Sequence, residues 1–181
     1  MWQEVLSPIS QELISEFKSG SLAESLNIYT EESNFPDLTG NRVTIIGVPE
    51  DRASLRHKGS SDASNAIRKQ LYSLYPGSWE INIADIGNII PGRDIVDTIA
   101  ALEEVCVEVL KHNSIPLVLG GSSDLGFAIY RAFVRLEQTI NATILDSRIS
   151  LESDEKELNS DNYLSHILTS KPHRLYNLSH I

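Results

Sequence analysis

Two short stretches hold most of the residues that could do chemistry. "LGGSSDLG", Leu119 to Gly126, sets Gly120, Gly121, Ser122, Ser123 and Asp124 between an apolar run and a helical pattern. "LDSRIS", Leu145 to Ser150, sets Asp146, Arg148 and Ser150 after a second apolar run. Hydroxyls offer nucleophiles, carboxylates offer bases or metal ligands, and a guanidinium offers a fixed positive charge. A nucleophilic serine needs a base within reach, but G-x-S-x-G does not fit and no histidine is placed by sequence to activate Ser122 or Ser123. Gly120 to Asp124 could instead hold an anion on successive backbone N–H groups at a helix start. Asp124 would oppose that anion, and neither the Walker pattern nor G-x-G-x-x-G is present. The simpler reading has Ser123 or Asp124 capping the helix. The histidines, His57, His112, His166, His173 and His180, show no metal-ligand spacing and read as structural or solvated.

Both stretches sit where strands should end. "RVTIIGV" from Arg42, "WEINIADIG" from Trp79, "IPLVLGG" from Ile115, "NATILD" from Asn141 and "HRLYNLSHI" from His173 are short apolar runs of strand length. Helical patterns separate them. "ASNAIRKQLYSLY" has helical spacing through Ala63, Ala66, Ile67, Leu71 and Leu74, and "DIVDTIAALEEVCVEVLKHN" through Ile95, Ile99, Leu102, Val105, Cys106 and Val109. "DLGFAIYRAFVRLEQ" and "YLSHILTS" complete the set, and the acidic "SRISLESDEKELNSDN" reads as an exposed loop. Alternation of strand and helix predicts an α/β fold with a largely parallel sheet. In such a sheet the loops beyond the strands' carboxyl ends carry the site. Those loops are "GVPEDR", "DIGN", "GGSSD" and "DSRIS". Residues 1–40 lack periodicity, apart from a short helix in "SPISQELISEF", and read as an N-terminal extension. Residues 41–181 read as one α/β domain. Its last strand runs to the final residue, so truncation at the C-terminus is expected.

The composition excludes several classes. With 181 residues, 41% hydrophobic and 22% charged, the chain has the make-up of one globular domain. A net charge of −10 argues against nucleic acid or an anionic membrane as partner. No apolar run reaches the roughly 20 residues of a membrane span, and no signal-peptide pattern opens the chain. One cysteine, Cys106, on an apolar helix face, excludes an internal disulfide and suits a reducing compartment. A cytoplasmic location is expected.

The order of these motifs resembles the ureohydrolases: arginase, agmatinase and formimidoylglutamase. "VTIIGVPED", "GSSDASNAIRKQL", "DIGN", "IPLVLGGSSDL" and "ATILDSRISL" follow one another as that family's strand ends do. Gly59, Ala66, Ile67 and Arg68 match its second element, with Ala63 and Ser64 where Gly-Pro would stand. Asp85 and Gly87 match D-x-G, Gly120 and Gly121 open the counterpart of G-G-D-H-S, and Asp146 opens that of D-A-H-x-D. The N-terminal extension is most like the formimidoylglutamase branch.

The resemblance implies a three-layer αβα sandwich, with about five mainly parallel strands in this chain, the first three in the order 2-1-3 and the last two adjacent. It also implies hydrolysis of a guanidino or formimino carbon by hydroxide on a manganese pair. The chain departs from that pattern. Ser122 and Ser123 replace Asp-His, Arg148 replaces a histidine and Ser150 an aspartate. A guanidinium donates but never accepts, so it cannot ligate a metal; pairing of Arg148 with Asp146 is expected instead. From this degeneracy we expect a chain without a cofactor and without catalytic residues, in a binding or regulatory role for an unidentified small molecule. The alternatives are an active hydrolase of linear amidines completed beyond this chain, and an anion-binding α/β module. An exposed sheet edge should be covered by a homo-oligomer, a dimer being favoured, or the fourth strand should join the third.

Overall fold

The structure is a computed structural model and describes residues 2–15, 17–78 and 82–181. The strands are β1 (Leu6–Ser7), β2 (Asn27–Ile28), β3 (Val43–Gly47), β4 (Ile83–Ile89), β5 (Ile115–Leu119), β6 (Ile140–Ile144) and β7 (Leu175–His180). Between them lie α1 (Gln11–Ser15), α2 (Ala63–Tyr72), α3 (Ile95–Lys111), α4 (Gly126–Arg135) and α5 (Tyr163–Thr169). The second strand of the sequence reading starts at Trp79; Trp79, Glu80 and Ile81 lie outside the described residues, as does Glu16 of the first helical stretch.

The β-branched run of β3 buries Ile45 and Ile46 and is flanked in parallel by β4 and β5, which gives the expected 2-1-3 order. The free edge of β4 is closed by β1, antiparallel, and by β2, parallel. Residues of the N-terminal segment therefore extend the sheet. β6 and β7 pair in parallel as a separate two-stranded sheet, so the last two strands are adjacent as expected. The fourth strand does not join the third. β5 pairs only with β3 and β6 only with β7, which leaves one edge of each open among the described residues.

Helices cover both faces of the main sheet. Ala84 and Ile86 of β4 pack, with Ile46 and Val48, against Ile99, Leu102, Val105, Cys106 and Val109 of α3 and Ala128 and Ala132 of α4. Alternation sends the intervening Asp85 to the opposite face, under α2. The apolar spacing of α3 thus marks its buried side. Burial pushes the Cys106 thiol up to about 12, so it is an inert core residue.

The apolar spacing of α2 is not its buried face. Ser64, Arg68 and Tyr72 are buried, whereas Ile67 is 40% and Leu74 55% exposed. The reason lies in β4. Arg68 donates from Nε and one terminal nitrogen to both oxygens of Asp85 (2.8 and 2.9 Å), and Tyr72 Oη donates to the same carboxylate at 2.7 Å. Asp85 also accepts from Gly87 N–H at 3.0 Å, and Arg68 reaches Asn88 Oδ1 and Gly87 O. Burial alone would disfavour the Arg68 charge, but the facing carboxylate holds it protonated. Burial, with Asp85 opposite, pushes the Tyr72 phenol far above its ordinary value. A buried bidentate pair with every partner supplied outweighs packing of the small apolar stripe.

Candidate functional site

The strand-end loops converge on a polar pocket of about 210 Å³. Its floor is Gly121, Ser122 and Ser123, from the turn after β5. That turn depends on Gly120 and Gly121, whose φ of +79° and +77° suit glycine. A Cβ on Gly121 would also meet Leu125 Cδ1 at 2.2 Å and Glu50 O at 2.9 Å. One wall is Asp146, Arg148 and Ser150, beyond β6. "GGSSD" and "DSRIS" are therefore brought together although β5 and β6 do not pair.

The other wall comes from segments without periodicity: Ser54, His57 and Ser60 from the long loop after β3, and Ser160 and Asp161 from the turn before α5. Leu55 N–H donates to Ser160 Oγ at 3.1 Å, Arg56 Nε to Asp161 Oδ2 at 2.8 Å, and Ser123 Oγ to Ser160 O at 3.3 Å. The sequence reading makes His57 structural or solvated; it lines the pocket. The loop is anchored at its base by Glu50, 1% exposed, which accepts from Arg52 and from Thr98 Oγ1 (3.0 Å). Burial alone would raise the Glu50 pKa, but those hydrogen bonds hold it below the usual carboxylate range.

Asp124 does not line the pocket, and neither it nor Ser123 caps α4 with its side chain. It is fully buried beneath Ser122, whose hydroxyl donates to Oδ1, while Oδ2 has no hydrogen-bond partner among the described residues. Burial raises its pKa, opposed by the Ser122 bond. In the same turn Gly121 N–H donates to Ser60 O and Ser122 N–H to Glu50 O (both 3.1 Å), so these amides are committed within the protein rather than turned to an anion.

Arg148 does not pair with Asp146 through its guanidinium, contrary to the sequence reading. The Arg148 backbone N–H donates to Asp146 Oδ1 at 3.1 Å, while the guanidinium donates to His57 Nε2 at 2.7 Å. His180 Nε2 in turn donates to Arg148 O at 3.0 Å. An imidazole nitrogen that accepts from a guanidinium must be unprotonated, which makes His57 neutral in this arrangement.

A sequence profile described as the Arginase family matches residues 41–169, which span the sheet, the pocket and α5. The chain belongs to the arginase family. Formimidoylglutamases are its relatives: that of Halalkalibacterium halodurans is 31% identical over 121 residues, 61% of this chain and 38% of the relative. That of Halobacterium salinarum is 30% identical over 46% of this chain and 29% of its own. Among solved structures, an arginase from Medicago truncatula aligns with a TM-score of 0.67 at 20% identity, over 78% of this chain and 50% of that one. A formiminoglutamase of Trypanosoma cruzi, determined with Mn2+, aligns with 0.67 at 19% over 80% and 57%. The arginase-family chain thus spans well under half the length of these curated relatives.

The expectation of a chain without a cofactor has to be corrected on this ground. The family includes a formiminoglutamase whose structure holds manganese, so absence of a cofactor does not follow from membership. The donors around the pocket do not make such a site by themselves. Among the described residues no three His, Cys, Asp or Glu side chains gather closely enough to hold an ion. No helix among them is long and apolar enough to cross a membrane.

Proposed function

We propose that this arginase-family chain binds a small polar molecule in the strand-end pocket and has a binding or regulatory role rather than hydrolysing amidines. Residues 41–181 form the ligand-binding α/β domain in this reading. The supporting observation is the guanidinium of Arg148, lodged against His57 among the pocket residues at 2.7 Å. Where the family resemblance puts ligands for a hydrolytic centre, Ser122, Ser123, Arg148 and Ser150 stand beside Asp146. A permanent cation can neither generate a hydroxide nucleophile nor accept its proton. His57, the imidazole that lines the pocket among the described residues, has its Nε2 occupied by that cation. The test is product release by the full-length protein given manganese and formimidoylglutamate, agmatine or arginine. No formamide or urea above buffer is expected; turnover of any of the three overturns the reading.

A second reading has its own support. The relatives are formimidoylglutamases of which the chain covers 38% and 29%. A linear-amidine hydrolase whose remaining groups come from elsewhere in a longer protein fits that coverage, and the same assay decides for it if product appears.

A further inference from the structure

A second cavity, of about 400 Å³, adjoins the polar pocket and shares Ser123 and Asp146 with it. Its walls are apolar: Ile129 of α4, Leu164 and Ile167 of α5, Ala142 and Ile144 of β6 and Leu178 of β7. Most of them belong to the smaller apolar cluster, in which α4 and α5 pack on the β6–β7 sheet. The polar groups that reach this cavity are nearly all engaged. Ser123 Oγ donates to Ser160 O, Tyr130 Oη accepts from Arg174 N–H at 3.1 Å, and Thr143 is exposed to water. Tyr163 differs. It is 6% exposed, lines the cavity, and its hydroxyl has no hydrogen-bond partner among the described residues. A hydroxyl left unmet in an apolar wall destabilises the fold unless water or a ligand reaches it. Burial, with Asp146 nearby, pushes the Tyr163 phenol pKa up, so the group keeps its proton and can donate.

We propose that this cavity binds an uncharged, mainly apolar small molecule carrying one hydroxyl group. The ligand oxygen accepts from Tyr163 Oη, and the ligand hydroxyl donates to the Asp146 carboxylate. That carboxylate accepts within the chain only from the Arg148 backbone N–H (3.1 Å) and the Ser147 hydroxyl (3.5 Å), which leaves room for a further donor. The apolar body of the ligand lies against the aliphatic walls. This site is separate from the polar one argued above and does not rest on it.

Volume and charge set the class. About 400 Å³ falls in the lower part of the roughly 300–1,000 Å³ range of small-molecule pockets. An anion would face Asp146 with no cationic side chain in the lining. A cation could meet Asp146, but it would give up its hydration to an otherwise apolar cavity, at far greater cost than a hydroxyl does. A plain hydrocarbon fits the walls and leaves Tyr163 unmet. An alcohol with an apolar body matches the walls, the phenol and the carboxylate together.

An NMR titration of the full-length protein with benzyl alcohol, ethylbenzene, benzoate and benzylamine tests this. Benzyl alcohol should give saturable shifts in α4, α5, β6 and β7, and should bind at least 10-fold more tightly than benzoate or benzylamine. Tyr163→Phe removes the hydroxyl and keeps the ring that packs against Gly126. It should weaken benzyl alcohol about 3- to 10-fold, the worth of one neutral hydrogen bond, and leave ethylbenzene unchanged. Ala142→Phe narrows the cavity and should weaken both neutral probes. If that variant loses its native melting transition, Tyr163→Phe still decides. The proposal fails if benzyl alcohol shows no saturable binding up to about 10 mM. It fails equally if a charged probe binds as tightly, or if Tyr163→Phe affects both neutral probes alike. Weaker binding of benzyl alcohol at higher protein concentration would seat a second copy in the cavity, and that too overturns it.

Discussion

At Asp124 the chain keeps a carboxyl group fully buried with one oxygen on Ser122 and the other on nothing among the described residues. Burial raises its pKa in the folded protein above the ordinary 3.8. The sign follows from linkage: a carboxyl that is harder to ionise when folded costs nothing below the unfolded pKa and weakens the fold as pH rises through the folded one. Asp124→Asn should therefore melt higher than the unaltered protein at pH 7, by about 2–4 °C if about 1 kcal/mol is recovered. Melting curves at several pH values should show that gap closing as pH falls toward about 4. The ion pair of Arg68 and Asp85 behaves differently, since every donor there is matched. Arg68→Met strips a buried carboxylate of two bonds and its counter-charge. A loss of about 3–5 kcal/mol is expected, read from the urea midpoint at unchanged slope.

The same pair explains which side of α2 is inside, an element-scale result that periodicity could not give. Ile67→Lys, on the exposed apolar stripe, should shift stability by no more than about 0.5 kcal/mol. Tyr72→Phe, on the buried polar side, removes the 2.7 Å bond to Asp85 and should cost about 1–3 kcal/mol. Equal effects in urea unfolding would reverse our assignment of the faces. For α3 the apolar spacing identifies the buried side because Ile99, Leu102, Val105, Cys106 and Val109 meet an apolar sheet face. For α2 the partner is Asp85, and no local pattern announces that a carboxylate will sit beneath a helix. The site divides in the same way. Ser122, Ser123, Asp146, Arg148 and Ser150 are legible because each follows an apolar run of strand length. Ser54, His57, Ser160 and Asp161 come from irregular segments, joined through contacts such as Arg56 to Asp161 across 105 residues. Their position depends on tertiary hydrogen bonds that leave no periodic trace.

At the scale of the molecule, β5 and β6 each leave one edge unpaired among the described residues. Ile115 and Leu117 on β5 are 59% and 41% exposed, and Leu145 just past β6 is 84% exposed. Unpaired N–H and C=O groups beside apolar side chains invite another strand, and no lysine guards either edge strand. Against this stands a net charge of −10 on each copy, which repels a second copy over about 10 Å at 0.1 M salt and over about 3 Å at 1 M. We therefore propose a homodimer of the 181-residue chain that tightens with salt. Light scattering across a concentration series should show the mass rising toward twice that of one chain, at lower protein concentration in 1 M than in 0.1 M salt. Leu117→Lys places a charge on the edge and should weaken association at least 10-fold while leaving the melting temperature of the dilute protein within about 2 °C. A monomer at every concentration and salt would mean that the two edges are covered within the chain or too polar to pair, and would remove the dimer from the account.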